Sequence, residues 1–382
     1  MSSNIAILDF GSGRISVLTG SRGPNDTVQV TSQSEVKYAG FSNGEWLRPE
    51  LLTNAIHQAI LGAENTSGIK IRHLYIGVPG EFSSVVTKNI THSYQKRKRL
   101  TESDVENLMI KGQDFLSSDV VLINRQPIFY TLDNGQRLIE PVGQSSSTLT
   151  GLISYIMAES NFTSFIDSIM ESLGIESAEY VSAALAQSLY LLESHKRDRI
   201  SVLIDVGYIT TTVAVVRGDG LLALSSFSLG GGYIAGDLRE YFAMPFADAE
   251  ILKRQVSVSI VPESDHVYEV NGKEYSASIV NRIVLERLKV ITKAVQKCIS
   301  LCKFDIPVSA GFYLTGGGIS YMRGAKELMG QFLERDIELI KLPLPSVDKY
   351  HNSSSIGLLN MIIDASSTVV KRRGILGFFL GE

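Results

Sequence analysis

Asp205 and Gly207 stand at the end of an apolar run, Val202-Leu203-Ile204. Thr210, Thr211 and Thr212 follow, and then a second β-branched run, Val213-Ala214-Val215-Val216. The pattern predicts a strand, a tight turn and a return strand, with Gly218-Asp219-Gly220 making the next hairpin. Amides and hydroxyls gathered in such a turn can hold phosphate oxygens, and a carboxylate at the strand end can hold a hydrated Mg2+. By itself the stretch also reads as an ordinary hairpin with a polar tip, because short phosphate-loop patterns recur by chance.

A second copy of the design begins the chain. Ile5-Ala6-Ile7-Leu8 leads to Asp9, then to Gly11-Ser12-Gly13, and Ile15, Val17 and Leu18 return. Two strand-Asp-x-Gly-turn-strand units half a chain apart say more than either alone. A third strand ends in Tyr313-Leu314-Thr315-Gly316-Gly317-Gly318, ahead of a helix predicted over Met322 to Leu333. Glycines between a strand and a helix let a ligand approach the backbone and aim the helix N-terminus at a phosphate.

The elements that must position these turns follow from periodicity. A strand is predicted near Val28 to Val30, a helix over Pro49 to Ala63 with proline near its start, and a buried strand over Ile71 to Val78. From Glu81 to Asn161 the texture changes to short alternating strands and one helix: Phe82 to Ile90, Leu122 to Leu132 and Leu138 to Glu140 read as strands. Thr101 to Phe115 reads as a helix opened by a Thr-x-x-Asp cap. This predicts a small inserted α+β domain. Within it Lys96-Arg97-Lys98-Arg99 reads as a charged loop, either solvated or offered to an anionic partner. Leu149 to Ala158 is predicted as a strand and Phe162 to Gly174 and Val181 to Glu193 as helices. Further on, helices are predicted over Gly236 to Phe242, Ala247 to Val256 and Ser278 to Lys303, with a hairpin over Tyr268 to Tyr275 about Asn271-Gly272.

With 382 residues the chain can form two or three domains, and its 44% apolar and 20% charged content disfavours disorder. A net charge of -4 gives no general attraction to nucleic acid. The N-terminal stretch lacks the pattern of a secretory signal and no apolar run is long enough to span a bilayer, so a cytoplasmic protein is expected. Cys298 and Cys302, the only cysteines, read as two packed thiols on one helix face rather than half a metal site, in keeping with a reducing compartment.

The three turns in this order, LDFGSG, IDVGYITTT and YLTGGG, resemble the actin-like ATPase superfamily, whose two related halves close over ATP. The position of the inserted domain, together with SDVENLMIKG, INRQPIFYTLDNGQRLIEPVG and FADAEILKRQV, is similar to the FtsA family in particular. The resemblance covers roughly Ile5 to Ala365. It implies an α/β fold of two actin-like lobes: a first lobe from residues 1–80, 162–195 and 337–365, an inserted domain over 81–161, and a second lobe over 196–336 with a subdomain at about 237–305. It implies ATP with Mg2+ in the cleft, held by Asp9, Gly11, Ser12 and Gly13 in the first loop, Asp205, Gly207, Thr210 and Thr211 in the second, and Gly316, Gly317 and Gly318 beside the α-phosphate and adenosine. Asp9 and Asp205 would stand nearest the metal. Glu250 and Lys253 match the adenosine-ribose contacts, or form a simple helix-face ion pair.

This chain also departs from the pattern. Where the family's second loop reads Asp-x-Gly-Gly-Gly-Thr-Thr-Asp, Tyr208 and Ile209 replace two glycines and Thr212 the second aspartate. Ser16 stands where actin has a phosphate-contacting lysine, and Arg14 is close enough in sequence to substitute. Side chains at 208 and 209 restrict φ and crowd the γ-phosphate, which implies a weak ATPase at most.

The resemblance further implies self-assembly into filaments, binding of the C-terminal peptide of FtsZ, and peripheral attachment to the inner face of the cell membrane. A C-terminal segment at 366–382, with Lys371, Arg372 and Arg373 beside Ile375, Leu376, Phe378, Phe379 and Leu380, has the chemistry for anionic lipid; it also reads as a tip packed on protein. A PilM-like pilus-assembly scaffold, or a small-molecule kinase of the same superfamily, would share the fold.

Overall fold

The computed structural model describes residues 4–24, 27–260, 263, 265–340 and 352–371, with side chains of the last helix as far as 366. The C-terminal residues from Arg372 onward, and the side chain of Lys371, lie outside the described residues, so the lipid-facing expectation falls there too.

Two five-stranded sheets share one plan. In the first, β1 (Ile5–Gly11), β2 (Arg14–Arg22) and β3 (Val28–Lys37) run antiparallel. On the other side β1 pairs in parallel with β6 (His73–Val78), and β6 with β11 (Ser177–Ser182). In the second, β12 (Ser201–Val206), β13 (Thr211–Arg217) and β14 (Gly220–Phe227) are antiparallel. There β12 pairs in parallel with β17 (Gly311–Thr315), and β17 with β18 (Ile337–Leu339). The duplication read from two turns is thus a duplication of whole sheets. Their central strands are buried on both faces, which is why Ile5–Leu8 and Val202–Ile204 are continuous apolar runs rather than alternating ones.

Helices cover the sheets. α1 (Pro49–Ser67) buries Leu52, Ala55, Ile56, Ala59, Ile60 and Ala63 against the first sheet and stops at Gly68, whose left-handed φ of 69° favours glycine. α3 (Ser160–Ser172), α4 (Ala183–Leu191) and α10 (Ser353–Lys371) also pack on that sheet, and the short α5 (Ser194–Arg197) leads from α4 to the second lobe. α4 and α10 pack on each other, and Leu203, Ala214, Val216 and Tyr313 of the second sheet join the first core, so the lobes share a hydrophobic floor. The small β4 (Phe41–Ser42) and β5 (Glu45–Trp46) hairpin puts the only tryptophan, Trp46, among Phe10, Phe82 and Phe162 under the first turn. Across the second sheet lie α6 (Gly232–Phe242), α7 (Phe246–Gln255), the β15 (Val267–Val270) and β16 (Lys273–Ser276) hairpin, α8 (Ala277–Ser300) and α9 (Ala325–Leu333).

Between these parts, β7 (Ser83–Arg99), β8 (Val120–Leu132), β9 (Arg137–Leu138) and β10 (Ser145–Glu159) form an antiparallel sheet with α2 (Glu102–Lys111) on it and a core of its own. Thr101 and Asp104 make the reciprocal cap expected at the start of α2. This sheet touches both lobes: Asn124 Oδ1 accepts from the Ser182 amide of the first, and the Ser154 hydroxyl donates to the Leu221 carbonyl of the second.

Besides shifted element ends, such as β3 running on to Lys37, α6 starting at Gly232 and α9 at Ala325, two stretches differ in kind from expectation. Lys96 to Arg99 end strand β7 instead of forming a loop. They lie on the exposed outer edge of the sheet, where charged residues are compatible with pairing and discourage a further strand from adding. The helix expected from Val181 begins at Ala183, because Ser177–Ser182 is the fifth strand of the first sheet and Ser182 caps the helix through the Leu185 amide.

Candidate functional site

The two Asp-containing hairpins end facing each other, and their turns touch directly. Ser12, at the tip of β1–β2, is buried, and its Oγ accepts hydrogen bonds from the Ile209 amide at 3.0 Å and the Thr210 amide at 3.4 Å. The Gly207 amide donates to the Thr210 carbonyl at 2.9 Å, closing the second turn on itself. Thr211, fully buried, donates to the Leu229 carbonyl at 2.6 Å and so braces its own lobe.

The glycine run after β17 locks against this second turn. Gly316 has φ of 95°, and a Cβ there would lie 2.2 Å from Asp205 Oδ1; a Cβ on Gly318 would lie 2.2 Å from the Gly207 carbonyl oxygen. The Gly318 amide donates to the Val206 carbonyl at 2.8 Å, with Gly317 between the two packed glycines. Gly231 and Gly232 donate to the carbonyls of Gly207 and Tyr208 at 2.9 and 2.7 Å. The sequence pattern assigns no role to Gly230–Gly232; a glycine triplet just before a helix was the available signal.

Asp9 and Asp205 sit at the floor, with the N-terminus of α10 beside them. The Ser354 hydroxyl donates to Asp9 Oδ1 at 3.0 Å, and Gln187 Nε2 donates to Asp205 Oδ2 at 2.7 Å and to Ser353 Oγ at 2.8 Å. Burial pushes Asp9 up to about 7; the Ser354 hydrogen bond opposes this and the nearby Asp205 charge adds to it. Asp205 is raised too, by burial, against its hydrogen bond from Gln187. Gln187, Ser353 and Ser354 carried no sequence signal, since they come from helices with no recognisable motif.

On the outer side, Lys253 is 1% exposed, and its Nζ donates to Glu250 Oε1 at 2.8 Å and to the Gly231 carbonyl at 3.1 Å. Burial pulls its ammonium below the usual lysine range, with Glu250 pulling the other way. The Glu250–Lys253 pair therefore ties α7 to the glycine run.

Tyr208, 36% exposed, lies at the surface between the two groups. Its ring lies where a Cβ on Gly13 would come within 3.0 Å and one on Gly232 within 3.1 Å, Lys253 Nζ is 5.7 Å from its centroid, and the Glu250 carboxylate is near its hydroxyl. Burial, then the Glu250 charge, push the phenol up to about 12.

Arg14 is not gathered into the cleft: its guanidinium pairs with Glu35 at 3.1 Å on the β2–β3 surface. Gly11 lies in the first turn opposite Arg14. A second contact fastens the lobes beside the cleft, where the Ser228 hydroxyl donates to Glu81 Oε1 at 2.8 Å and accepts from the Asn43 amide at 2.7 Å.

The residue types suit a magnesium nucleotide, with two carboxylates, two amide-bearing turns and a buried ammonium. Among the described residues, however, no group of three or more His, Cys, Asp or Glu side chains could hold a metal by itself, so the carboxylate pair would need phosphate and water to complete a shell. In the arrangement seen, these groups bond one another: the Ile209 and Thr210 amides donate to Ser12, and Tyr208 lies beside Glu250.

Twin sheets of one strand order, closed over a cleft between Asp-bearing turns, define an actin-like ATPase fold. Solved structures agree on the fold: a PilM–PilN type IV pilus biogenesis complex superposes with a TM-score of 0.64 at 15% identity, covering 94% of this chain and 98% of that one. MreB5 of Spiroplasma citri bound to ADP superposes with a TM-score of 0.55 at 11% identity, covering 97% of this chain and 98% of that one. Within this class the chain is similar in sequence to FtsA. The family model described as cell division protein FtsA matches residues 202–357, and the cell division protein FtsA of Neisseria meningitidis serogroup B is 24% identical over 334 residues, 85% of this chain and 80% of that one.

Proposed function

We propose that this chain is an FtsA-like scaffold of the division machinery, which assembles with copies of itself and links FtsZ to the inner face of the cytoplasmic membrane. The observation that carries the reading is the FtsA similarity over 85% of the chain, spanning both lobes and the inserted sheet rather than one motif. The division into lobes at 1–80 with 162–195 and 337–365, 81–161, and 196–336 belongs to this proposal, as does lipid contact by the segment at 366–382. No helix among the described residues is long and apolar enough to cross a membrane.

ATP with Mg2+ belongs to the proposal as the ligand of a parted cleft. Asp9 and Asp205 would orient the metal's water shell, the amides of Ile209 and Thr210 would face phosphate oxygens, and Glu250 would reach a ribose hydroxyl. The bound metal would supply charge neutralisation of the phosphates. A role in polymer assembly needs binding only, and turnover is expected to be slow at most.

The test is fluorescence anisotropy of a labelled FtsZ C-terminal peptide titrated with the full chain. Saturable binding is expected, and no binding at tens of micromolar protein, about the limit for a functional contact, would sink the proposal. The TM-score of 0.64 to the PilM–PilN complex favours one second reading, a pilus-assembly scaffold. Binding to a short peptide from a pilus partner, with none to FtsZ, would select it.

A further inference from the structure

We propose that Ser12 and Tyr208 form a resident latch that takes the place of a ligand between the lobes, so that the cleft admits nucleotide only when both are displaced. The ligand's identity rests on the nucleotide reading above; the latch itself rests on contacts within this chain.

The Ser12 hydroxyl occupies the inner position. Two amides of the opposite lobe converge on its one oxygen, at 3.0 and 3.4 Å, as they would on an oxygen of a bound anion. Ser12 is 6% exposed and Thr210 8%, so removing that acceptor would leave buried donors unsatisfied, which costs more than an ordinary hydrogen bond.

Tyr208 occupies the outer position. Its backbone carbonyl accepts from the Gly232 amide at 2.7 Å, which fixes the residue to the start of α6. From there the ring reaches across to Gly13 of the first lobe, with its hydroxyl on the side of the Glu250 carboxylate. Gly13 is the matching concession: a Cβ there would sit 3.0 Å from Tyr208 Cδ1. Ile209 adds to the closure from the same turn, its Cδ1 lying 3.0 Å from where a Cβ on Gly40 would stand. The two side chains that replace glycines in the second loop therefore both reach the first lobe. The Ser228–Glu81–Asn43 contact holds the lobes together next to them.

A latch of this kind lowers apparent affinity by the fraction of molecules in which it is open. The first measurement is hydrogen exchange of the Ile209 and Thr210 amides without added nucleotide, in the natural chain and in Ser12→Ala. Slow exchange that accelerates about tenfold or more in the variant supports the latch, and unchanged exchange overturns it. The second is ATP binding with Mg2+ by calorimetry, comparing the natural chain with Tyr208→Gly/Ile209→Gly and with the milder Tyr208→Phe. Binding at least about tenfold tighter in the double variant, with a smaller gain in Tyr208→Phe, supports the latch. Equal affinity in all three overturns it while leaving the nucleotide reading intact. If no chain binds ATP but Ser12→Ala still loses protection, the latch stands and the nucleotide reading falls. A thermal melt of each variant separates misfolding from these outcomes.

Discussion

The turn at Ser12–Gly13 and the turn at Gly207–Thr210 hold the same place in two sheets of one strand order, yet they do opposite things. The first is short, with Gly11 paired to Arg14, and presents a hydroxyl. The second has four residues between Val206 and Thr211, presents amides, and carries two large side chains. Each supplies what the other lacks, so surfaces that would face a shared ligand face one another. The backbones of both hairpins match because their strands are core, whereas the turns lie at the cleft and differ in sequence.

The largest difference should appear when a methyl group is added to each half. At Gly316 the backbone has φ of 95° and a Cβ would lie 2.2 Å from Asp205 Oδ1, so Gly316→Ala adds strain to a clash with an immobile strand. A loss of about 3 kcal/mol or more is expected in urea unfolding. Gly11→Ala meets only Arg14, with its carbonyl oxygen at 3.3 Å and its flexible Cγ at 3.4 Å, and should cost about 1 kcal/mol or less. Equal losses would mean that the first turn is as tightly fixed as the second.

The carboxylates sharpen the contrast next. Asp9, raised from 3.8 to about 7, binds a proton in the folded chain that the unfolded chain has already lost between those values. Stability therefore falls as pH rises from about 4 to about 7 and levels off above. Asp9→Asn can still accept from Ser354 and removes that slope. It should stabilise the chain at pH 8 by on the order of 3 kcal/mol, with little effect at pH 4. Urea midpoints of both proteins across that range give the answer; parallel curves would show that Asp9 ionises freely.

Much of this architecture was legible in the sequence because buried central strands are written as β-branched runs and their turns as glycine. Asp9, Asp205 and the Gly316–Gly318 run could be marked for the same reason: a polar residue or glycine at the end of such a run has few structural excuses. Ser177–Ser182 escaped because it is short and its apolar end, Val181, runs without a break into the helix at Ala183, so the two read as one helical segment. Lys96 to Arg99 read as loop because sequence shows charge, not whether the backbone beneath it is paired. Gln187, Ser353 and Ser354 reach the carboxylates only through the packing of α4 against α10, which no local pattern encodes. Tyr208 is intermediate: its bulk in a glycine position announced crowding, but only the fold shows its ring across the cleft on Gly13.

The smallest expected effects separate a cross-lobe contact from a surface one within a single turn. Ser12→Ala leaves the Ile209 and Thr210 amides without their acceptor in a buried place, and a loss of about 1–2 kcal/mol is expected. Two residues on, Arg14 makes its ion pair with Glu35 on the solvent side, its side chain 39% exposed, and Arg14→Ala should cost about 0.5 kcal/mol or less and fade in high salt. If Arg14→Ala proved the costlier change, or lost its effect on no addition of salt, the guanidinium would have to act in the cleft after all. The first turn would then contribute charge rather than a hydroxyl to the contact between the lobes.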